Sequence, residues 1–233
     1  MADRFDTTRW SLILHAGGQG DDAHGALEAL CRIYRPPVLA YVRAHRATRE
    51  ESEDLTQAFF AHLLEHRLAA RADRERGRFR AFLLTSLKHF LASEFTRSSA
   101  QRRGGGVVGM PLDDFEPIDA DVGPEQAFER EWAQTVLRQA SLRLRAEAQQ
   151  AGKDALFLRL QPFLLETPDD DDYAAVATAL GLRRNTVAVA VHRLRSRLQD
   201  LVRAVVADTV SDAGQAENEL RRMRAALTVA PVA

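Results

Sequence analysis

The chain has 233 residues, 45% of them hydrophobic and 28% charged, with 32 lysines and arginines against 33 aspartates and glutamates. That length suits two small domains better than one core, and the apolar content excludes a disordered chain. A net charge of −1 excludes a uniformly basic nucleic-acid binder, but an even balance over the whole chain hides strong local asymmetry.

The single cysteine, Cys31, has no internal disulfide partner, and there is no pair of cysteines at zinc-ligand spacing. The N-terminal "MADRFDTTRW" mixes acids and bases, and no run of about eighteen apolar residues occurs anywhere. We therefore expect neither an export signal nor a membrane span, and a cytoplasmic location.

The first periodic stretch, "HGALEALCRIYRPPVLAYVRAH", puts Leu27, Leu30, Ile33 and Tyr34 at helical spacing. Pro36 and Pro37 are predicted to kink or break that helix before Val38.

"EESEDLTQAFFAHLLEH" follows, with Thr48 and Glu51 in a capping-box pattern just ahead of an apolar run. Its early acids suit the positive end of a helix. At about 100° per residue, Leu55, Phe59, Phe60, Leu63 and Leu64 spread over one broad side, and Glu50, Asp54, Gln57 and Glu65 over the other. Thr56 falls within the apolar side, where a threonine is expected to pack. His62 and His66 are four residues apart, as metal ligands can be. Leu63 stands where a zinc-protease helix carries its glutamate, no third ligand is evident, and no metal is expected.

Residues 74–103 are net positive: Arg74, Arg76, Arg78, Arg80, Lys88, Arg97, Arg102 and Arg103 face only Glu75 and Glu94. Within them "FRAFLLTSLKHFLASEF" predicts an amphipathic helix whose Phe82, Leu83, Phe90 and Leu91 are expected in a core. The next segment, "GGGVVGMPLDDFEPIDADVGPE", has glycine and proline punctuation and only acidic charge, and reads as a flexible acidic linker.

Beyond it, helices are predicted near 126–150, 155–165, 172–180, 185–206 and 215–227. The acids at 169–172 lack the glycine and terminal glutamate of a calcium loop and suit the start of a helix. No useful strand-like alternation and no internal repeat occur. "YAAVATALGLRRNTVAVAVHRLRSRL" reads as a helix-turn-helix. Gly181 permits a left-handed turn, Ala177 lets two helices approach, and Val176, Leu182, Val187 and Val191 are the expected core. A second basic cluster, Arg183, Arg184, Arg193, Arg195, Arg197 and Arg203, accompanies it; the arginines at 193, 195 and 197 suit phosphates. In the last helix Leu220, Met223 and Leu227 share one side, which suits packing onto a domain, with regulatory docking as the sharper reading.

In order, these features resemble the extracytoplasmic-function sigma factors of bacterial RNA polymerase, over roughly residues 24–205. The resemblance is carried by Glu51, Ser52, Glu53, Asp54, Leu55, Thr56 and Gln57, followed by Ala58, Phe59 and Phe60, which follow the family's clamp-binding helix except for the acid expected at Ala58. Phe79, Arg80, Ala81, Phe82 and Leu83 fit its next helix, with Phe82 in place of a tryptophan and Lys88-His89 in place of an Arg-Asn pair.

The resemblance implies an all-α protein in which a first domain, 1–100, binds the polymerase clamp and the minus-ten element. A linker at 101–124 joins it to a helix-turn-helix domain, 125–206, that reads the minus-thirty-five element, and 207–233 is a helical extension. It further implies polymerase binding through Glu51, Glu53, Asp54 and Gln57. Single-stranded DNA would be gripped by Lys88, His89 and Arg97 together with the loop 71–78. Duplex reading would fall to Arg183, Arg184, Asn185, Thr186 and His192, with Arg195 on phosphate. The reading helix departs from the family's usual polar start at Ala188, Val189 and Ala190.

Core RNA polymerase and promoter DNA are the implied partners, with no cofactor and no enzymatic activity. Control would come from an anti-sigma factor, from the C-terminal helix or, as in kinase-linked subgroups, from a serine/threonine kinase. In the last case phosphate on Thr56 or Ser52 would supply the charge missing at Ala58. The alternative function is a stand-alone helix-turn-helix regulator on an operator, which explains 173–199 and leaves the acidic-aromatic helix and the first basic helix without a role.

Overall fold

The computed structural model describes residues 21–45, 48–66, 79–102, 123–166, 169–207 and 213–228. The protein is all-α, and its described residues contain no strand. In chain order the helices are α1 (Asp21–Arg43), α2 (Arg49–Glu65), α3 (Phe79–Arg102), α4 (Pro124–Gln150), α5 (Asp154–Leu160), α6 (Asp170–Leu180), α7 (Arg184–Ala207) and α8 (Ala213–Thr228). A 3-10 turn, Gln161–Leu164, follows α5 directly. The expected linker core, 103–122, and the basic loop 71–78 lie outside the described residues.

By its contacts the chain forms two compact units, Met1–Thr135 with Ala207–Ala233, and Val136–Val206. The divide therefore falls inside α4, and α8 belongs with the first unit.

In the first unit α1 is not broken at Pro36 and Pro37, which lie inside a continuous helix. Each missing N–H costs an intrahelical hydrogen bond. Tyr34, Val38, Leu39, Tyr41 and Val42, on both sides of the pair, are all buried, and this packing offsets the loss. α2 adds Phe59 and Leu63 to the core, α3 adds Phe79, Leu83, Leu87, Phe90 and Leu91, α4 adds Phe128 and Trp132, and α8 adds Leu220 and Met223. Tyr34 meets Phe79 edge-on at 5.2 Å between ring centroids, and Phe59 lies 5.6 Å from Phe90. Phe82 is only half-buried.

In the second unit one cluster joins Ala140, Leu144, Phe157, Leu164, Leu198 and Leu201. The other joins Leu160, Ala177, Val187 and Val191, with Val176 and Leu194 partly buried against it. Leu182, expected there, is instead 40% exposed. It is the residue just past the left-handed Gly181, and the turn carries it outward. The helix expected over 155–165 stops at Leu160 and tightens into the 3-10 turn, where Pro162 removes a backbone donor.

Both α4 and α6 end in left-handed glycines, Gly152 at φ +66° and Gly181 at φ +63°. In each, the residue after the glycine donates its N–H back five residues, Lys153 to Ala148 at 2.8 Å and Leu182 to Ala177 at 2.9 Å. This satisfies carbonyls that a helix end leaves open.

Candidate functional site

The start of α2 is fixed locally. Thr48 Oγ1 accepts the Glu51 N–H at 3.2 Å, and the Glu51 carboxylate accepts the Thr48 N–H at 2.9 Å. Phe59 and Leu63 bury one side, which turns Glu50, Asp54 and Gln57 to solvent. Glu51 is exposed as well, with its carboxylate turned back into the cap. Glu53 is drawn toward α1, where it accepts hydrogen bonds from Arg35 and, at 3.1 Å, from Arg43. Of the four residues expected to bind polymerase, three thus face water and Glu53 is committed within the unit.

Ser52 and Thr56 are both fully buried. The Ser52 hydroxyl donates to the Thr48 carbonyl at 2.8 Å, and Thr56 Oγ1 has no hydrogen-bond partner among the described residues. A phosphate on either would bring about −1.5 to −2 charges into this packing, so the burial supports a packing role for both side chains.

On α3, Lys88 Nζ lies 2.6 Å from the Glu125 carboxylate at the start of α4. Burial pushes the Glu125 carboxyl up, but the Lys88 hydrogen bond, its own backbone N–H and the charges of Lys88 and His45 outweigh that and hold it below the usual range. His89 and Arg97 are exposed, and Arg97 pairs with Glu94 one turn before it.

Arg80, counted in sequence with the basic stretch, is buried. Its guanidinium meets Glu129 of α4 and, at 2.5 Å, Glu219 of α8, and lies 4.2 Å from the Trp132 ring centroid. The spacing Arg80, Leu83, Leu87 follows one helical face, which is the signal that could have placed it inside.

Between α2 and α3 lies an open groove of about 670 Å³ lined by His62, Glu65, His66, His89, Phe90 and Arg97 among others. The His62 and His66 rings are 4.3 Å apart, and His62 lies 5.3 Å from Phe90. Burial, followed by the neighbouring His66, holds the His62 imidazole below its ordinary pKa despite Glu65 and Glu94. No group of three candidate metal ligands occurs among the described residues.

In the second unit the acids at 169–172 cap α6. Asp169 accepts the Asp172 N–H at 2.8 Å, and Asp172 accepts the Asp169 N–H at 3.0 Å. The turn at Gly181 then starts α7 so that Val187 and Val191 point into the core while Arg183, Arg184, Asn185, Thr186 and His192 are exposed. These five share the N-terminal part of one helix and the turn before it.

Arg195, expected on phosphate, is partly buried. Its Nε donates to the Phe163 carbonyl at 2.8 Å and its Nη2 to the Glu166 carbonyl, which ties α7 to the 3-10 turn. Arg197 grips both oxygens of Glu147, at 2.9 and 2.6 Å. The Arg197 hydrogen bond holds the Glu147 carboxyl below its usual range, and Glu147 raises the guanidinium in return.

Residues 30–101, which run from α1 through α3, match the family described as Sigma-70 region 2. The match covers less than half of the chain. No curated protein and no solved structure matches. Sigma-70 region 2 supports a sigma-70 family factor, with core RNA polymerase and promoter DNA as the partners it implies. Among the described residues no helix is long and apolar enough to cross a membrane.

Proposed function

We propose that the chain is an alternative sigma factor of the extracytoplasmic-function group, which binds core RNA polymerase in the cytoplasm and directs it to promoters without catalysis of its own. In this reading the exposed acids of α2, Glu51 and Asp54 with Gln57 beside them, meet a cationic surface of the polymerase. Glu53, held by Arg35 and Arg43, fixes α2 against α1 so that the acidic side is presented in one orientation.

α3 then meets the displaced promoter strand. Lys88 and Arg97 supply cations for phosphates, and the groove lined by His62, His66, His89 and Phe90 offers ring faces on which unstacked bases can rest. The α6–α7 pair reads the upstream duplex. Asn185 and the neighbouring arginines have the chemistry to bond base edges in a major groove, and exposed Arg193 is better placed for phosphate than Arg195. Control by an anti-sigma factor suits this arrangement better than phosphate on Ser52 or Thr56, whose hydroxyls are buried.

The observation that carries the proposal is α2: a capped helix with a buried aromatic side and an exposed acidic side, inside the segment that matches Sigma-70 region 2. Co-purification of Asp54→Lys with core RNA polymerase tests it. Binding should fall at least tenfold while the helical circular dichroism is unchanged; binding equal to the parent defeats the proposal.

A further inference from the structure

Two carboxylates on one side of α4, Glu125 and Glu129, stand one turn apart and meet two cations of α3, Lys88 and Arg80. The contacts differ in kind. Arg80 is closed in, with 4% of its side chain exposed, and Glu219, 1% exposed, completes its surroundings. Lys88 and Glu125 sit at the surface, 31% and 50% exposed. Arg80 is therefore an anchor that holds the first turns of α4 against α3, and that anchorage sets Glu125 opposite Lys88.

We propose that Glu125 is a built-in phosphate surrogate, which occupies Lys88 in the free protein and must yield it when single-stranded DNA arrives. The proposal rests on the reading of Lys88 as a DNA contact. A carboxylate and a phosphate oxygen compete for the same ammonium donors, and two negative groups around one lysine repel by about 1 kcal/mol even at water-like screening. The exposed pair is weak enough to be exchanged, since such pairs contribute about 0.2–1 kcal/mol, whereas the buried Arg80 cluster is not. Glu125 directly follows Pro124 at the first turn of α4, so yielding Lys88 requires only a side-chain movement there. The carboxylate thus lowers the affinity of the free chain for single strands and leaves the fold untouched.

The test uses the full chain and a short fluorescein-labelled single-stranded oligonucleotide, with Glu125→Gln, Lys88→Met and the double variant. Glu125→Gln should bind about two- to fivefold more tightly, as expected for release of an exposed pair. Lys88→Met should bind more weakly, with its salt dependence reduced by about 0.7 in log–log slope for the lost phosphate contact. In the Lys88→Met background, Glu125→Gln should change nothing further. If Glu125→Gln tightens binding equally in that background, the effect is bulk charge and the surrogate is overturned. If Glu125→Gln has no effect while Lys88→Met weakens binding, the surrogate fails and the DNA contact stands. If Lys88→Met has no effect, the reading of Lys88 itself fails and the surrogate with it.

Discussion

Replacing Glu219 by alanine removes a carboxylate that, with Glu129, meets Arg80, whose side chain is 4% exposed. Breaking a buried ion pair by deleting one partner typically costs about 3–5 kcal/mol, because the remaining charge stays desolvated. Glu129 still pairs with Arg80, which places the expected loss near the lower end, about 3 kcal/mol. For a unit of this size each kcal/mol lowers Tm by about 2–4 °C, so the midpoint should fall by about 6–12 °C. Trp132 lies 4.2 Å from the Arg80 guanidinium and reports the transition by fluorescence in a Trp10→Phe background. Glu217, exposed on the same helix, is the control, and Glu217→Ala should stay within about 0.5 kcal/mol. Replacing all three members, Arg80→Met with Glu129→Gln and Glu219→Leu, should recover much of the loss, since it leaves no charge desolvated without its partner. If Glu219→Ala matches Glu217→Ala, α8 does not anchor to α3 as described.

Thr56→Val replaces a buried hydroxyl that has no hydrogen-bond partner among the described residues by a methyl of similar shape, and should stabilise the first unit by about 1 kcal/mol in urea unfolding; a loss of that size would mean that the hydroxyl has an essential partner. A Cβ on Gly181 meets nothing within 4 Å, so Gly181→Ala should cost only the left-handed conformation, about 1 kcal/mol, and Gly181→Asn less. The Glu147 carboxyl is depressed below its ordinary 4.5 by Arg197, so the pair's stabilisation is complete above that value and is lost as pH falls through the lower folded value. With the two side chains 41% and 51% exposed the effect is below about 1 kcal/mol: Glu147→Gln should be slightly less stable than the parent at neutral pH and equal to it in strong acid.

The features legible in the sequence are those settled within a few residues. Thr48 with Glu51, the acids ahead of α6 and Gly181 each act through hydrogen bonds spanning three to five residues, so residue type and spacing were enough to place them. The interruption expected at Pro36 and Pro37 was overridden by burial of the residues around them, a tertiary effect that propensity does not contain. Arg80 was hidden for the same reason: its partner Glu219 is 139 residues away, and only the fold reveals that a residue in a basic stretch has been neutralised. Arg195 likewise finds its acceptors in carbonyls of a turn about thirty residues earlier, at Phe163 and Glu166, and a charge count assigns such a residue to solvent. Leu182 shows the converse, an apolar side chain turned outward by the geometry of the glycine before it.

Run-off transcription with purified core RNA polymerase tests the proposed function most directly. Core enzyme with the full chain should start transcripts at defined sites on a template from the source genome. Core enzyme alone should not, and neither should core enzyme with Asp54→Lys, which loses the polymerase contact while keeping the fold. Start sites that appear equally with core alone, or that persist undiminished with Asp54→Lys, would contradict promoter initiation through α2.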